Sequence, residues 1–397
     1  MARIRPKALA VAAAAVALTL AGCAEETGGT GGGGGDDSGP IKIGAVLDIT
    51  GAGASLGVPE RQTLQMLVEQ VNADGGVDGR QIELIIEDNQ STEDAAARAI
   101  NKLISQDQVD IVLGASRTGP SLAMRPIAED NEVPMISLAA GKQIIDGATW
   151  VFKTAQNDSV VLQNMVALAE REGWQTLGLA RDASSFGEGV EETLTELGQP
   201  AGIEVIAAEK FAPDATDFTA QMVNLRDAGA DANIIWGIPP AAALAQQSYR
   251  QLGIDAPVLH SHGIGNQVFL ETAGDSADGL LAPLGRLLVV EQLPDEDPQK
   301  QVILEFVDAY QAEYGEPPST FAGHAYDAFQ LAINAFAEVG TDKAAVRDHL
   351  ENVEGFVGIS GIFTMSPEDH SGLSREALVL VTVEDGDWKL APEQLSD

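Results

Sequence analysis

Cysteine is almost absent: Cys23 is the only one in 397 residues. A single thiol leaves no intramolecular disulfide to form, whatever the redox compartment. Basic residues are scarce too, 23 Lys and Arg against 60 Asp and Glu, for a formal charge of −37. Such a surface repels nucleic acid and anionic lipid head groups. The acids are spread along the chain rather than massed in a block, which reads as a solvated acidic surface suited to salty surroundings. Five histidines are scattered with no H-x-x-x-H or H-E-x-x-H spacing, so a metal site has little support. Ser184, Ser185 and the other serines are read as standing in no G-x-S-x-G elbow, which leaves a hydrolase reading poor. No nucleophile–base pair and no cofactor is expected, and short-period repeats are absent.

What the chain does have begins at the amino terminus. Arg3, Arg5 and Lys7 precede an apolar run over residues 8–21, too short for the ~20 residues of a spanning helix. It stops at Leu20-Ala21-Gly22-Cys23, which is similar to the lipobox of a bacterial lipoprotein, cut before the Cys. The expectation is a signal peptide over 1–22 and lipidation at Cys23, its position counting for more than its residue type. The acyl chains on that one residue would give a stable anchor. Residues 23–39 include the glycine run 31–35 and read as a flexible tether. The folded body then starts at Pro40-Ile41. Loss of the leader leaves 20 basic residues against the same 60 acids.

The remaining ~350 residues exceed one ordinary domain, so two lobes are expected. Strand and helix patterns alternate along the body, the signature of parallel sheets with right-handed crossovers. Strands are expected at 41–47, 81–87, 111–113, 133–137, 176–180, 204–208, 233–236 and 258–260. Helices are expected near 59–72, 92–105, 159–172, 188–197, 218–228, 241–252, 298–314 and 320–339. Two last strands, 377–383 and 388–390, pair across a turn at 384–387. The glycines Gly51, Gly53 and Gly57 after the first strand invite a dinucleotide reading. Their spacing is G-x-G-x-x-x-G, not G-x-G-x-x-G, and an exported chain has no obvious supply of nicotinamide cofactor.

Residues 109–126, VDIVLGASRTGPSLAMRP, organise the rest. A buried parallel strand ends at Gly114, and a new helix opens after a loop of small residues. Thr118 is the expected N-cap, with Pro120 in the first turn. Free amides and the positive end of the helix dipole then face the same spot, as an anion site requires. An ordinary strand-to-helix loop has the same residues, so the stretch alone decides nothing.

Its company does more. IKIGAVLDITGAGASLG, VNADGGVDGRQIELIIEDNQS, SSFGEG, GIGNQVFLETAGDSADGLL, HAYDAF and SGIFTMSPEDHSGLS follow in an order that resembles the solute-binding proteins of ABC importers, of the branched-chain amino-acid type. The likeness covers nearly all of the body, 41–390. It implies a type I periplasmic-binding-protein fold, with two doubly wound α/β parallel-sheet lobes joined by three crossovers near 154–159, 283–290 and 361–366. Lobe 1 would hold 41–157 and 288–361, and lobe 2 158–287 and 362–397. A hinge would close the cleft on its ligand.

Site residues also follow from the resemblance. Thr118 matches the hydroxyl that binds a ligand carboxylate, with a further contact from backbone at Ala139 and Ala140. The hydroxyl that should follow is replaced by Gly141. Phe186 matches the aromatic that packs on the ligand. Ile238 and Pro239 follow the strand ending in Trp236, itself either a pocket residue or a core aromatic. At His262, amino-acid binders place an acid for the α-ammonium; a neutral imidazole accepts one hydrogen bond and a charged one repels. Arg117, beside Thr118, adds a cation unless it is spent in a surface ion pair. His260 reads as structural, His370 as part of a turn, and His324 and Asp327 as helix residues at a hinge.

The resulting expectation is an exported, membrane-anchored monomer that does no chemistry. It captures a small carboxylate, preferably without an α-ammonium, and hands it to an ABC permease. Branched-chain amino-acid binding and ligand sensing for a signalling partner are the alternatives.

Overall fold

The computed structural model describes residues 39–392. The leader, Cys23 and the glycine tether lie outside the described residues, as do 393–397. The chain opens with β1 (Ile41–Leu47), α1 (Ala54–Ala73), β2 (Ile82–Asp88), α2 (Glu93–Lys102), β3 (Ile111–Gly114), α3 (Thr118–Asp130), β4 (Met135–Ser137) and β5 (Val151–Lys153). These five strands form a wholly parallel sheet in the order β2-β1-β3-β4-β5. β1 and β3 carry near-continuous apolar side chains because helices cover both faces of such a sheet.

The chain then passes into a second sheet through α4 (Asp158–Glu172), β6 (Thr176–Asp182), α5 (Val190–Gly198), β7 (Glu204–Phe211), α6 (Thr219–Ala228), β8 (Ala232–Trp236), α7 (Ala241–Gln251), β9 (Val258–His260), α8 (Gln267–Ala273) and β10 (Leu281–Leu284). It returns to pack α9 (Lys300–Tyr314) and α10 (Thr320–Val339) against α1, followed by α11 (Lys343–Glu351). A small hairpin, β11 (Phe356–Val357) with β12 (Ile362–Phe363), precedes the last passage to β13 (Val379–Glu384) and β14 (Asp387–Leu390). The second sheet runs β14-β13-β10-β9-β8-β6-β7. It is parallel from β7 to β10, and its other edge is the antiparallel β13–β14. This is a mixed α/β fold of two lobes.

Three boundaries differ instructively from the sequence reading. α1 starts at Ala54, so Pro59 lies inside it rather than at its start. A Cβ on Gly57 would stand 2.4 Å from the Asp48 carbonyl, so only glycine lets the helix begin this close to the end of β1. Thr118 is not the N-cap of α3. Arg117 holds that place in extended conformation without a side-chain cap bond, and Thr118 is the first helical residue. α2 is capped as expected by Thr92, whose hydroxyl accepts from the Ala95 amide, but after Lys102 it widens into a π-turn over Leu103–Asp107.

The passages between lobes are stitched together. The Thr154 hydroxyl donates to the His324 carbonyl at 2.9 Å, and the Gln156 amide to the Ser360 carbonyl at 2.6 Å. Asp327 on α10 accepts from the Ile359 and Ser360 amides at 2.6 and 2.7 Å. His370 does more than sit in a turn. It is buried, stacks on Phe152 at 4.2 Å, and its Nδ1 lies 2.9 Å from the Val151 carbonyl, joining the last passage to β5.

Candidate functional site

Parallel strands of both sheets end toward one cavity of about 300 Å³, the place an open α/β sheet reserves for ligands. From the first lobe it is lined by the loop after β3 (Ser116 to Pro120) and the loop after β4 (Leu138 to Ala140). The second lobe contributes the loop after β6 (Asp182 to Phe186), Ile238 after β8, and His262 and Gly263 after β9. Phe321 and His324 of α10 line it as well, as do Leu56, Ser91 and two further carboxylates, Glu93 at the start of α2 and Glu188 just before α5.

The first-lobe side presents the amino-terminal end of a helix. Thr118 opens α3, and the Thr118 and Gly119 amides have no intrahelical acceptor. The helix dipole adds partial positive charge at the same place. Behind it runs a buried polar chain. Ser116 Oγ accepts from the Asp48 amide at 3.0 Å and donates to Glu60, whose carboxyl burial pushes well above its usual range. Arg117 is not free to act as an unpaired cation. Its Nε is paired with buried Asp48, which also accepts from Asn89 at 2.6 Å, and its Nη2 donates to the Ser91 carbonyl at 2.5 Å. The guanidinium faces the cavity with its charge already balanced.

The second-lobe side is aromatic and imidazole-rich. Phe186 packs on Trp236 at 5.3 Å between ring centroids and meets the His262 edge at 5.7 Å. His262 is buried, and desolvation, aided by His324 and Lys153, pushes it down to about 3. It is therefore neutral at any ordinary pH. No hydrogen bond of ordinary geometry reaches either of its ring nitrogens, although the Gln156 carbonyl lies near enough to favour the protonated ring slightly. His324 is likewise pushed to about 3 by burial, with Nδ1 2.8 Å from Ser360 Oγ. Asp182 and Glu188 are the acids on this wall. Burial raises the Asp182 carboxyl, while Ser184 holds Asp182 Oδ1 through its amide at 2.9 Å and its hydroxyl at 2.5 Å.

Of the residues singled out from the sequence, Arg117, Thr118, Ala139, Ala140, Phe186, Ile238 and His262 line the cavity. Trp236, Pro239 and Gly141 do not. Trp236 is wholly buried among second-lobe core residues, with its indole N–H donating to the Phe186 carbonyl at 3.1 Å; it supports the wall from behind. Pro239 lies in the turn leading to α7. Gly141 is set back because the Thr118 methyl fills its side-chain space, 2.4 Å from where a Cβ would stand.

Sequence reasoning missed Ser116, Asp182, Phe321 and His324. Asp182 ends a parallel strand, which is a usable signal. His324 reaches the cavity only because α10 returns from the far end of the chain. The expectation that no serine stands in a G-x-S-x-G pattern is wrong at one place, because Gly53-Ala54-Ser55-Leu56-Gly57 spells it. Ser55 lies in the first turn of α1, and no base is hydrogen-bonded to its hydroxyl. Among the described residues no cluster of three metal-ligating side chains occurs, and no helix is long and apolar enough to cross a membrane.

A family model described as periplasmic binding protein matches residues 40–387. The leucine-, isoleucine-, valine-, threonine- and alanine-binding protein of Pseudomonas aeruginosa is 30% identical over 305 residues, 76% of this chain and 79% of that one. An extracellular ligand-binding receptor from Rhodopseudomonas palustris superposes with a TM-score of 0.83 at 26% identity, covering 89% of this chain and 99% of that one. A branched-chain amino-acid transporter substrate-binding protein of Streptococcus pneumoniae, in complex with isoleucine, gives a TM-score of 0.77 at 26% identity and 88% and 98% coverage.

Proposed function

The chain belongs to the periplasmic binding protein family, a family of solute-binding proteins and not of enzymes, and from that premise we propose that it captures a small carboxylate outside the cytoplasm. The carboxylate lies against the first turn of α3, beside Ser116, Thr118 and the backbone after β4. The body of the ligand packs on Phe186, Ile238 and Phe321. An ABC permease receives it, and a lipid on Cys23 tethers the monomeric protein to the outer face of the membrane. The two lobes, taken as 41–157 with 288–361 and 158–287 with 362–397, close on the ligand.

One observation carries the preference for a carboxylate without an α-ammonium: the polar wall presents two neutral imidazoles, His262 and His324. A desolvated ammonium needs a negative partner and costs several kcal/mol without one. A hydroxyl or carbonyl oxygen, in contrast, is satisfied by a neutral imidazole. Arg117 does not offset this balance because Asp48 already neutralises it.

A second reading is favoured by Asp182 and Glu188, carboxyls on the same wall, and by Glu93 across the cavity. With its proton lost Asp182 would hold an ammonium, and the ligand would then be a branched-chain amino acid, as the name of the Pseudomonas relative suggests. A thermal-shift screen separates the two. One panel holds leucine, isoleucine, valine, threonine and alanine; the other holds benzoates, 2-oxo acids and aliphatic acids. A bound ligand raises the melting temperature by mass action. Stabilisation by the second panel alone supports the proposal, and stabilisation by micromolar leucine, isoleucine or valine replaces it with the second reading.

A further inference from the structure

One buried cation stands directly behind the cavity wall. Lys153, the last residue of β5, is wholly buried. Its Nζ donates to the Ala140 carbonyl at 2.5 Å and to Asn157 Oδ1 at 2.7 Å. Ala140 lines the cavity, so the ammonium lies one peptide group behind the surface that faces the ligand. Asp158, at the start of α4 in the other lobe, is buried as well; its Oδ1 has no hydrogen bond and lies 4.0 Å from His262 Nε2. Lys153, Asn157, Asp158 and His262 thus form a polar line from the first lobe, through the first passage between lobes, to the second-lobe wall.

We propose that Lys153 is a positioning residue for the ligand carboxylate, clamping the loop after β4 and supplying the positive field behind it, and that carboxylate capture is coupled to uptake of a proton by the Lys153–Asp158 pair. The inference rests on the reading of the cleft as a carboxylate site. A dry ammonium with no ion-paired carboxylate in direct contact is expensive, and the anion arriving at the Ala139–Ala140 backbone supplies a further negative charge. Burial pushes the Lys153 ammonium down and the Asp158 carboxyl up, while each opposes the other's shift. An added carboxylate favours the protonated form of both groups, so the sign is uptake in either case. The other charges that face the pair are Asp146, Asp369 and Lys142 around Lys153, and Asp182 around Asp158. His262 and His324, also within reach, are neutral through this range.

Calorimetric titration of the protein with benzoate and with 4-methyl-2-oxopentanoate, in phosphate and in Tris at pH 7.5, tests this. The expected result is a binding enthalpy that differs between buffers, by the amount a sizeable fraction of one absorbed proton requires. Lys153→Met should weaken binding at least tenfold and abolish the buffer dependence, and Lys153→Arg should restore most of the affinity. A merely structural Lys153 would leave the buffer dependence unchanged in any folded variant. Equal enthalpies in the two buffers for the unaltered protein overturn the proton coupling without any variant. Binding of Lys153→Met at unaltered affinity overturns the positioning role. If neither acid binds while leucine does, the parent reading fails, and leucine in the same two buffers then decides the coupling alone.

Discussion

His262→Phe separates a ligand contact from a structural histidine, because the two roles predict opposite signs. The ring nitrogens of His262 are buried and have no hydrogen bond of ordinary geometry. A buried polar atom left unpaired costs about 1–3 kcal/mol. The nearby Gln156 carbonyl relieves part of that, so replacing both nitrogens by carbon should stabilise the protein by about 1 kcal/mol. Phenylalanine keeps the edge contacts with Phe186 and Trp236, at 5.7 and 5.9 Å, and its extra volume has the cavity to enter. A gain of that size raises Tm by roughly 2 °C in a chain this long. Affinity should move the other way. Loss of one neutral hydrogen bond to the ligand costs about 0.5–1.5 kcal/mol, or roughly 2–12-fold in Kd. The assay is a urea melt of the unliganded protein alongside a calorimetric titration with its best carboxylate. A variant that is less stable and binds unchanged would refute the reasoning, since His262 would then be a packing residue that never meets the ligand.

Three further perturbations test the frame around the cavity. Asp327→Ala strips the Ile359 and Ser360 amides of this acceptor and should cost about 2–4 kcal/mol in a urea melt; a loss below 1 kcal/mol would mean water replaces the clamp. Gly141→Ser would restore the hydroxyl that the resemblance leads one to expect, yet its Cβ meets the Thr118 methyl. It should therefore destabilise by about 1–3 kcal/mol and weaken carboxylate binding, and tighter binding would show that the loop moves aside. His260 is buried, with Nε2 2.9 Å from Gln246 Oε1, and desolvation lowers it to about 3. The unfolded chain takes up a proton near pH 6.5 and the folded one does not, so this histidine's contribution is complete above pH 6.5 and is lost as pH falls toward 3. His260→Gln should remove about 2 kcal/mol of the stability difference between pH 7 and pH 5, read from urea melts at both; an unchanged difference would place the acid sensitivity elsewhere.

Local pattern made much of the fold legible. β1, β9 and α10 run where their apolar periodicity puts them, and alternation of strand and helix announces parallel sheets. β5 escaped because three residues, Val151–Lys153, carry no period at all. The start of α1 escaped because helix propensity argues against glycine at Gly57, where close approach to Asp48 demands it. In the site, the helix start beside the cavity was legible to within one residue at Thr118, since strand, small loop and helix start are contiguous in sequence. The imidazole wall was only half legible. His262 follows a strand, whereas His324 is brought there by the return of α10, a tertiary fact without local signature. Arg117 was visible as a cation, but its neutralisation by Asp48, 69 residues away, was not.

A cleft that takes a carboxylate lacking an ammonium must discriminate between ligands that differ only in that group. Leucine, 2-hydroxy-4-methylpentanoate and 4-methyl-2-oxopentanoate share one carbon skeleton and one carboxylate. Titrated calorimetrically into the same protein at pH 7.5, the hydroxy or oxo acid should bind at least tenfold more tightly than leucine. Leucine binding at micromolar Kd, with both oxygen analogues weaker, would contradict the account and place the ammonium on Asp182.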